Sequence, residues 1–245
     1  MTGTLILLRH GESTANADGI FTGWTDAPLT PTGREQANDA AHLMAAADLL
    51  PDVVHTSLLR RTITTADIVL DVLDRPWIPV TRSWRLNERH YGALTGLTKT
   101  QVRERTDEAT YHAWRRSWAT PPPAALPGAL TPWNDDRYRS LPPDAWPLTE
   151  SLADVHARLL PYWADRICTD LTADRTTLVV AHGNSLRALV THLDQLTTPE
   201  VEILNIPTGQ PLRYDLDKGL RPKAAGGTYL DPRAAAQQAA AVGRQ

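Results

Sequence analysis

Thr4-Leu5-Ile6-Leu7-Leu8-Arg9-His10-Gly11-Glu12-Ser13 begins as a strand and ends as chemistry. Thr4 to Leu8 is a mostly branched, apolar run of strand length, which suits burial. A guanidinium, an imidazole, a glycine, a carboxylate and a hydroxyl then follow in five residues. Thr177-Leu178-Val179-Val180-Ala181-His182-Gly183-Asn184-Ser185 repeats the design. In an open α/β sheet, ligands sit beyond the carboxyl ends of the strands. Arg9, His10 and His182 are therefore expected at a mouth and not in the core. Two strand-end His-Gly turns can set two imidazoles against one small ligand.

Outward from these strands, apolar strand patterns alternate with helical ones. Thr30 reads as the N-cap of a helix with Pro31 in its first position. A strand is expected over 51–56, then a helix capped by Ser57, then a short edge strand over 77–80 that contains Pro79. A charged helix is expected over 101–118. Thr149 reads as the cap of a helix that buries Leu152, Val155, Leu159 and Trp163. A further helix runs from Ser185, and 211–215 alternates like an edge strand. The expected class is α/β: a mostly parallel sheet with helices on both faces. We read 1–245 as one domain. Residues about 90–147 form an inserted, lid-like excursion over the mouth. Residues 121–147 hold eight of the nineteen prolines, so this part is irregular, and Trp133, Tyr138 and Trp146 argue that it packs on something. The tail, about 226–245, is a weak helix or a mobile arm.

Bulk properties narrow the function. The 245 residues suit one large domain, and a hydrophobic fraction of 42% is enough for a core. A formal net charge of -3 gives no basic field for nucleic acid. The single cysteine, Cys168, rules out an internal disulfide and a multi-cysteine metal site. No apolar run reaches the length of a membrane span and no signal peptide is evident. A cytoplasmic protein without membrane or nucleic-acid partners is expected.

Phosphoryl transfer fits the polar residues. Arg9 and Arg61 can bind phosphate oxygens in bidentate fashion. A neutral imidazole can attack phosphorus and divide one hard transfer into two easier ones. Fixed positive donors then stabilise the charge that spreads over the transferring group. Glu88, in the polar run Asn87-Glu88-Arg89-His90-Tyr91-Gly92, can serve as general acid and base, or can pair with Arg85 or Arg89. By residue type alone, Arg115 and Arg116 read more readily as a solvated helix face than as ligands. None of this chemistry calls for a metal.

Longer stretches carry a family resemblance. Leu8 to Ser13 with Asn16, Phe21-Thr22-Gly23-Trp24, the run from Leu86 to Leu94, Trp114-Arg115-Arg116, Leu148 to Leu152, Ala181 to Val190 and Leu204 to Gly209 together resemble the cofactor-dependent phosphoglycerate mutases of the histidine phosphatase superfamily. The resemblance runs from residue 5 to about 216. It implies that His10 is the phosphorylated nucleophile and that Arg9, Arg61 and His182 clamp the phosphoryl group, assisted by Asn16, Gly183 and Asn184. Glu88 would exchange the proton with the substrate. Thr22, Gly23, Tyr91, Lys99, Arg115 and Arg116 would hold a carboxylate and a second phosphate. It further implies 2,3-bisphosphoglycerate as priming donor, a phosphoglycerate as substrate and a homo-oligomer, dimer or tetramer. The segment 121–135 and the tail depart from the family pattern, which leaves the balance between mutase and phosphatase open. The other readings are a phosphatase for a small monoester and an inactive binding relative. The second is disfavoured by the presence of His10, Glu88 and His182.

Overall fold

Alternate residues of the first strand serve two different cores. Leu5 and Leu7 pack on one face of the sheet and Ile6 and Leu8 on the other, as the two-residue period of a strand dictates. The computed structural model describes residues 3–126, 135–142 and 145–244. Within them lie strands β1 (Thr4–Arg9), β2 (Val53–Thr56), β3 (Val80–Arg82), β4 (Thr177–Ala181), β5 (Leu212–Asp215) and β6 (Thr228–Tyr229). They form one sheet in the order β3-β2-β4-β1-β5-β6. β1 to β4 are mutually parallel; β5 and β6 add two antiparallel strands at one side.

The helices are α1 (Thr14–Ala17), α2 (Pro31–Ala46), α3 (Arg60–Val72), α4 (Lys99–Glu104), α5 (Glu108–Arg116), α6 (Leu152–Tyr162), α7 (Cys168–Thr172), α8 (Gly183–Asp194), α9 (Thr198–Ile203) and α10 (Pro232–Arg244). Ala40, Ala41 and Met44 of α2 and Ala66, Val69 and Leu70 of α3 cover Ile6, Leu8, Leu178 and Val180. Leu159 of α6, Leu171 of α7 and Leu186 and Leu189 of α8 cover Leu5, Leu7 and Val179 on the opposite face. The expected class, a mostly parallel sheet with helices on both faces, is the one observed.

Several boundaries differ from the sequence reading. Ser57 is not the cap of α3: Leu59 occupies that position, and the Ser57 hydroxyl accepts from Leu59 N at 3.1 Å. Ser151, not Thr149, caps α6, in a reciprocal box with Asp154; Thr149 Oγ1 instead donates to Pro122 O at 2.7 Å. The edge strand lies at Val80–Arg82, after Pro79, because β2 needs N–H partners that proline lacks. The charged helix is two helices, since Asp107 caps a new one with its carboxylate on Thr110 N. The strand over 211–215 is not at the edge, because β6 pairs with it. α8 starts two residues early, with His182 at its N-cap. Within the excursion, Trp133 lies outside the described residues, and Tyr138 is buried 5.0 Å from the ring of Trp24. The tail contains β6 and α10.

Candidate active site

Register brings the two His-Gly turns side by side. Arg9, the last residue of β1, pairs with Ala181, the last of β4, and His10 N donates to Ala181 O at 3.1 Å. The rings of His10 and His182 meet edge to face, with centroids 5.0 Å apart. Glycine is required at the turn after β1: a Cβ on Gly11 would stand 2.0 Å from Gly33 O. That close approach lets α2 pack directly beneath the loop.

His10 Nδ1 lies 2.7 Å from Gly11 O. A carbonyl can only accept, so the proton is on Nδ1 and the free lone pair is on Nε2. Burial, then the neighbouring Arg61 and Arg9 charges, hold His10 well below the usual histidine pKa, so its lone pair is available at neutral pH. His182 is held low in the same way, by burial, then by Arg61, His10 and Arg9.

Arg61 is placed in the first turn of α3 and is fully enclosed. Its Nη1 donates to Thr25 O, its Nη2 to Gly23 O at 2.9 Å and its Nε to His182 Nδ1 at 3.2 Å. Gly23 adopts φ +54°, a conformation that suits glycine and turns its carbonyl to Arg61. Burial lowers the Arg61 pKa to about 10, still charged near neutrality. Arg9 Nη1 donates to Ile206 O at 2.8 Å, while its Nε is a buried donor without a partner among the described residues. Glu88 Oε1 accepts from Arg89 N at 2.8 Å and from Asn184 N at 3.1 Å. Asn184 Nδ2 donates to Tyr91 OH at 2.9 Å.

One cavity joins these groups. Arg9, His10, Asn16, Thr22, Gly23, Arg61, Glu88, Tyr91, Lys99, Arg115, Arg116, Gly183 and Asn184 all line it, so every residue expected at the site is there except His182, which is buried directly behind His10 and Arg61. Six cationic side chains and two carboxylates face this space. The surplus of positive charge, with the unpartnered Arg9 Nε, describes a site short of acceptors, which an anionic ligand would supply. Lys99 opens α4, and burial, then Arg115 and Arg9, lower its pKa to about 8. Arg116 is committed in part: its Nε and Nη2 donate to Glu202 O and Leu204 O.

Arg187, Asn205, Ile206 and Thr208 also line the cavity, as does Glu12. The sequence reading gave none of them a role. Arg187 stands three residues after Asn184 in α8, among Leu186, Leu189 and Val190; a lone arginine in so apolar a helix was the available signal. It donates to Asn184 Oδ1, Arg116 O and Val201 O. Burial, then Arg116 and Arg89, lower its pKa to about 9.

Residues 5–131 and 123–220 match the model of the histidine phosphatase superfamily, branch 1. The chain belongs to this superfamily. A 2,3-bisphosphoglycerate-dependent phosphoglycerate mutase of Mycobacterium tuberculosis (strain ATCC 25618 / H37Rv) is 58% identical over 245 residues, which cover 100% of this chain and 98% of the relative. A protein of the same name from Rhodococcus opacus (strain B4) is 57% identical, with 100% and 97% covered. Among solved structures of the histidine phosphatase fold, a mycobacterial glucosyl-3-phosphoglycerate phosphatase in complex with VO3 superposes with a TM-score of 0.67 at 26% identity, covering 87% of this chain and 92% of the other.

Proposed function

We propose that this histidine phosphatase superfamily member interconverts 3-phosphoglycerate and 2-phosphoglycerate, a step of glycolysis and gluconeogenesis, through a phosphohistidine on His10. The observation that carries the reading is the shared cavity. It is lined by His10, with His182 packed behind it, by Arg9 and Arg61, and by Lys99, Arg115 and Arg116 on α4 and α5. When bound, 2,3-bisphosphoglycerate supplies the phosphoryl group that primes His10.

The lone pair of His10 Nε2 attacks phosphorus, and the bond from phosphorus to the departing substrate oxygen breaks with its electrons going to that oxygen. Glu88 gives that oxygen a proton. Arg9 and Arg61, with Asn16, Gly183 and Asn184, hold the equatorial oxygens, and His182 joins the clamp through a proton taken up at Nδ1 once the arriving anion has drawn Arg61 Nε to itself. In the return step Glu88 takes the proton from the other hydroxyl, which attacks the phosphohistidine. Thr22, Gly23, Tyr91, Lys99, Arg115 and Arg116 hold the carboxylate and the second phosphate. Helices α4 and α5 of the excursion over 90–147 act as the lid that keeps water from the phosphoenzyme; residues 127–134 and 143–144 of that excursion lie outside the described residues. The reading extends to a homo-oligomeric, cytoplasmic enzyme.

A coupled assay from 3-phosphoglycerate to the enolase product tests the proposal. Turnover that rises on adding 2,3-bisphosphoglycerate supports it. Release of inorganic phosphate from small monoesters, without isomerisation, would favour the phosphatase reading that the structural relative suggests.

A further inference from the structure

Ser57 and Thr62 have no part in the chemistry above, and both are fully buried beside His182. His182 Nε2 lies 2.8 Å from Ser57 Oγ. Ser57 Oγ lies 2.7 Å from Thr62 Oγ1 and accepts from Leu59 N. Thr62 Oγ1 is 2.9 Å from Leu59 O.

Only one arrangement of protons satisfies this chain. Arg61 Nε–H points at His182 Nδ1, so Nδ1 must be the unprotonated acceptor. The proton of a neutral His182 is then on Nε2 and is donated to Ser57 Oγ. With both lone pairs taken, by Nε2–H and by Leu59 N–H, Ser57 must give its own proton to Thr62 Oγ1. Thr62 in turn donates to the Leu59 carbonyl. The reverse direction would place a second hydrogen between His182 Nδ1 and Arg61 Nε.

We propose that Ser57, backed by Thr62, is a positioning residue that acts with Arg61 to fix the tautomer and orientation of His182, so that Nδ1 is the edge presented to the arginine-lined phosphoryl site. When an arriving anion draws Arg61 Nε to itself and Nδ1 gains a proton in its place, the Nε2–H to Oγ bond stays intact, so the ring keeps its place in either charge state. This explains why a buried serine lies between β2 and α3 without capping the helix. The inference rests on the reading of His182 as a phosphoryl ligand, but its first test needs no turnover.

That test is a ¹⁵N–¹H correlation spectrum of histidine-labelled, ligand-free enzyme, with the His182 signals assigned by their loss in His182→Gln. Wild type should show the Nε2–H tautomer. Ser57→Ala should show a mixture of tautomers, and Thr62→Val a shift toward Nδ1–H, because the Ser57 hydroxyl is then free to donate to the ring. Ser57→Thr, which keeps the hydroxyl, should restore the wild-type tautomer. In the mutase assay Ser57→Ala should lose about tenfold to a hundredfold in kcat, with KM within about twofold of wild type. An Nδ1–H tautomer in wild type would overturn the proposal, as would a single Nε2–H species in both Ser57→Ala and Thr62→Val. If Ser57→Ala fails to fold, the wild-type and Thr62→Val spectra still decide. A correct tautomer pattern in a protein without mutase activity would retain the positioning role and remove the proposed reaction instead.

Discussion

His10 and Lys99 show how burial sets the state of single residues. Burial beside two arginines keeps the His10 imidazole neutral, and the Gly11 carbonyl aims its lone pair. Lys99 feels the same forces with a different consequence. Its pKa of about 8 means that it is charged below that pH and loses its proton above it. Arg61 and Arg116, at about 10, remain charged as Lys99 neutralises. Binding of 3-phosphoglycerate should therefore weaken as pH rises from 8 to 9, by up to about tenfold per unit for a single proton. Calorimetric titration across this range checks the slope, and Lys99→Met should bind weakly and flatten it. An unchanged slope in the variant would assign the titration to another group.

At the scale of elements, α5 is held at its C-terminal end from below. Arg89 Nη2 donates to Trp114 O and Arg115 O, and Arg187 Nη2 donates to Arg116 O. Cationic donors on terminal carbonyls also complement the helix dipole. The two neighbours they present differ in what else they do. Arg116 ties α5 to the carbonyls of Glu202 and Leu204, whereas Arg115 lies with its guanidinium carbon 5.2 Å from the Tyr111 ring centre. Arg115→Ala should thus lower mutase activity more than monoester hydrolysis and leave Tm almost unchanged. Arg116→Ala should show the same bias in activity and also lower Tm, since losing hydrogen bonds of a charged donor costs ~1.5–3 kcal/mol and each kcal/mol is worth roughly 2–4 °C in a chain of this size. Both activities and a thermal melt on the same preparations check this; an equal fall in both activities would remove the second anion site from the account. These arginines could be placed by motif but not by periodicity, because a charged helix face looks alike whether it meets solvent or substrate. Asp107 was invisible as a break for the same reason: a cap within a charged run interrupts no apolar pattern.

For the molecule as a whole, what could be read from the chain follows from where its signals lie. β1 and β4 are legible because continuous apolar runs end abruptly in charge, and their parallel pairing then brings Arg9, His10 and His182 together. Ser57, Arg187 and Ile206 are not legible as site residues, since their partners lie 125, 71 and 197 residues away in sequence. The sheet carries the site directly, so damage to its packing should reach the chemistry. Leu8→Ala, beneath Arg9 and His10, should cost ~2–5 kcal/mol in denaturant unfolding; a loss below ~1 kcal/mol would mean that α2 and α3 collapse onto the gap. The central claim is that His10 carries the phosphoryl group. The most direct measurement incubates the enzyme with 2,3-bisphosphoglycerate, quenches in base, maps the modified peptide by mass spectrometry, and chases with 3-phosphoglycerate. The account predicts one acid-labile, base-stable phosphoryl group on His10 that the chase discharges, and none in His10→Ala. A phosphoryl group on another residue, or full activity in His10→Ala, would contradict it.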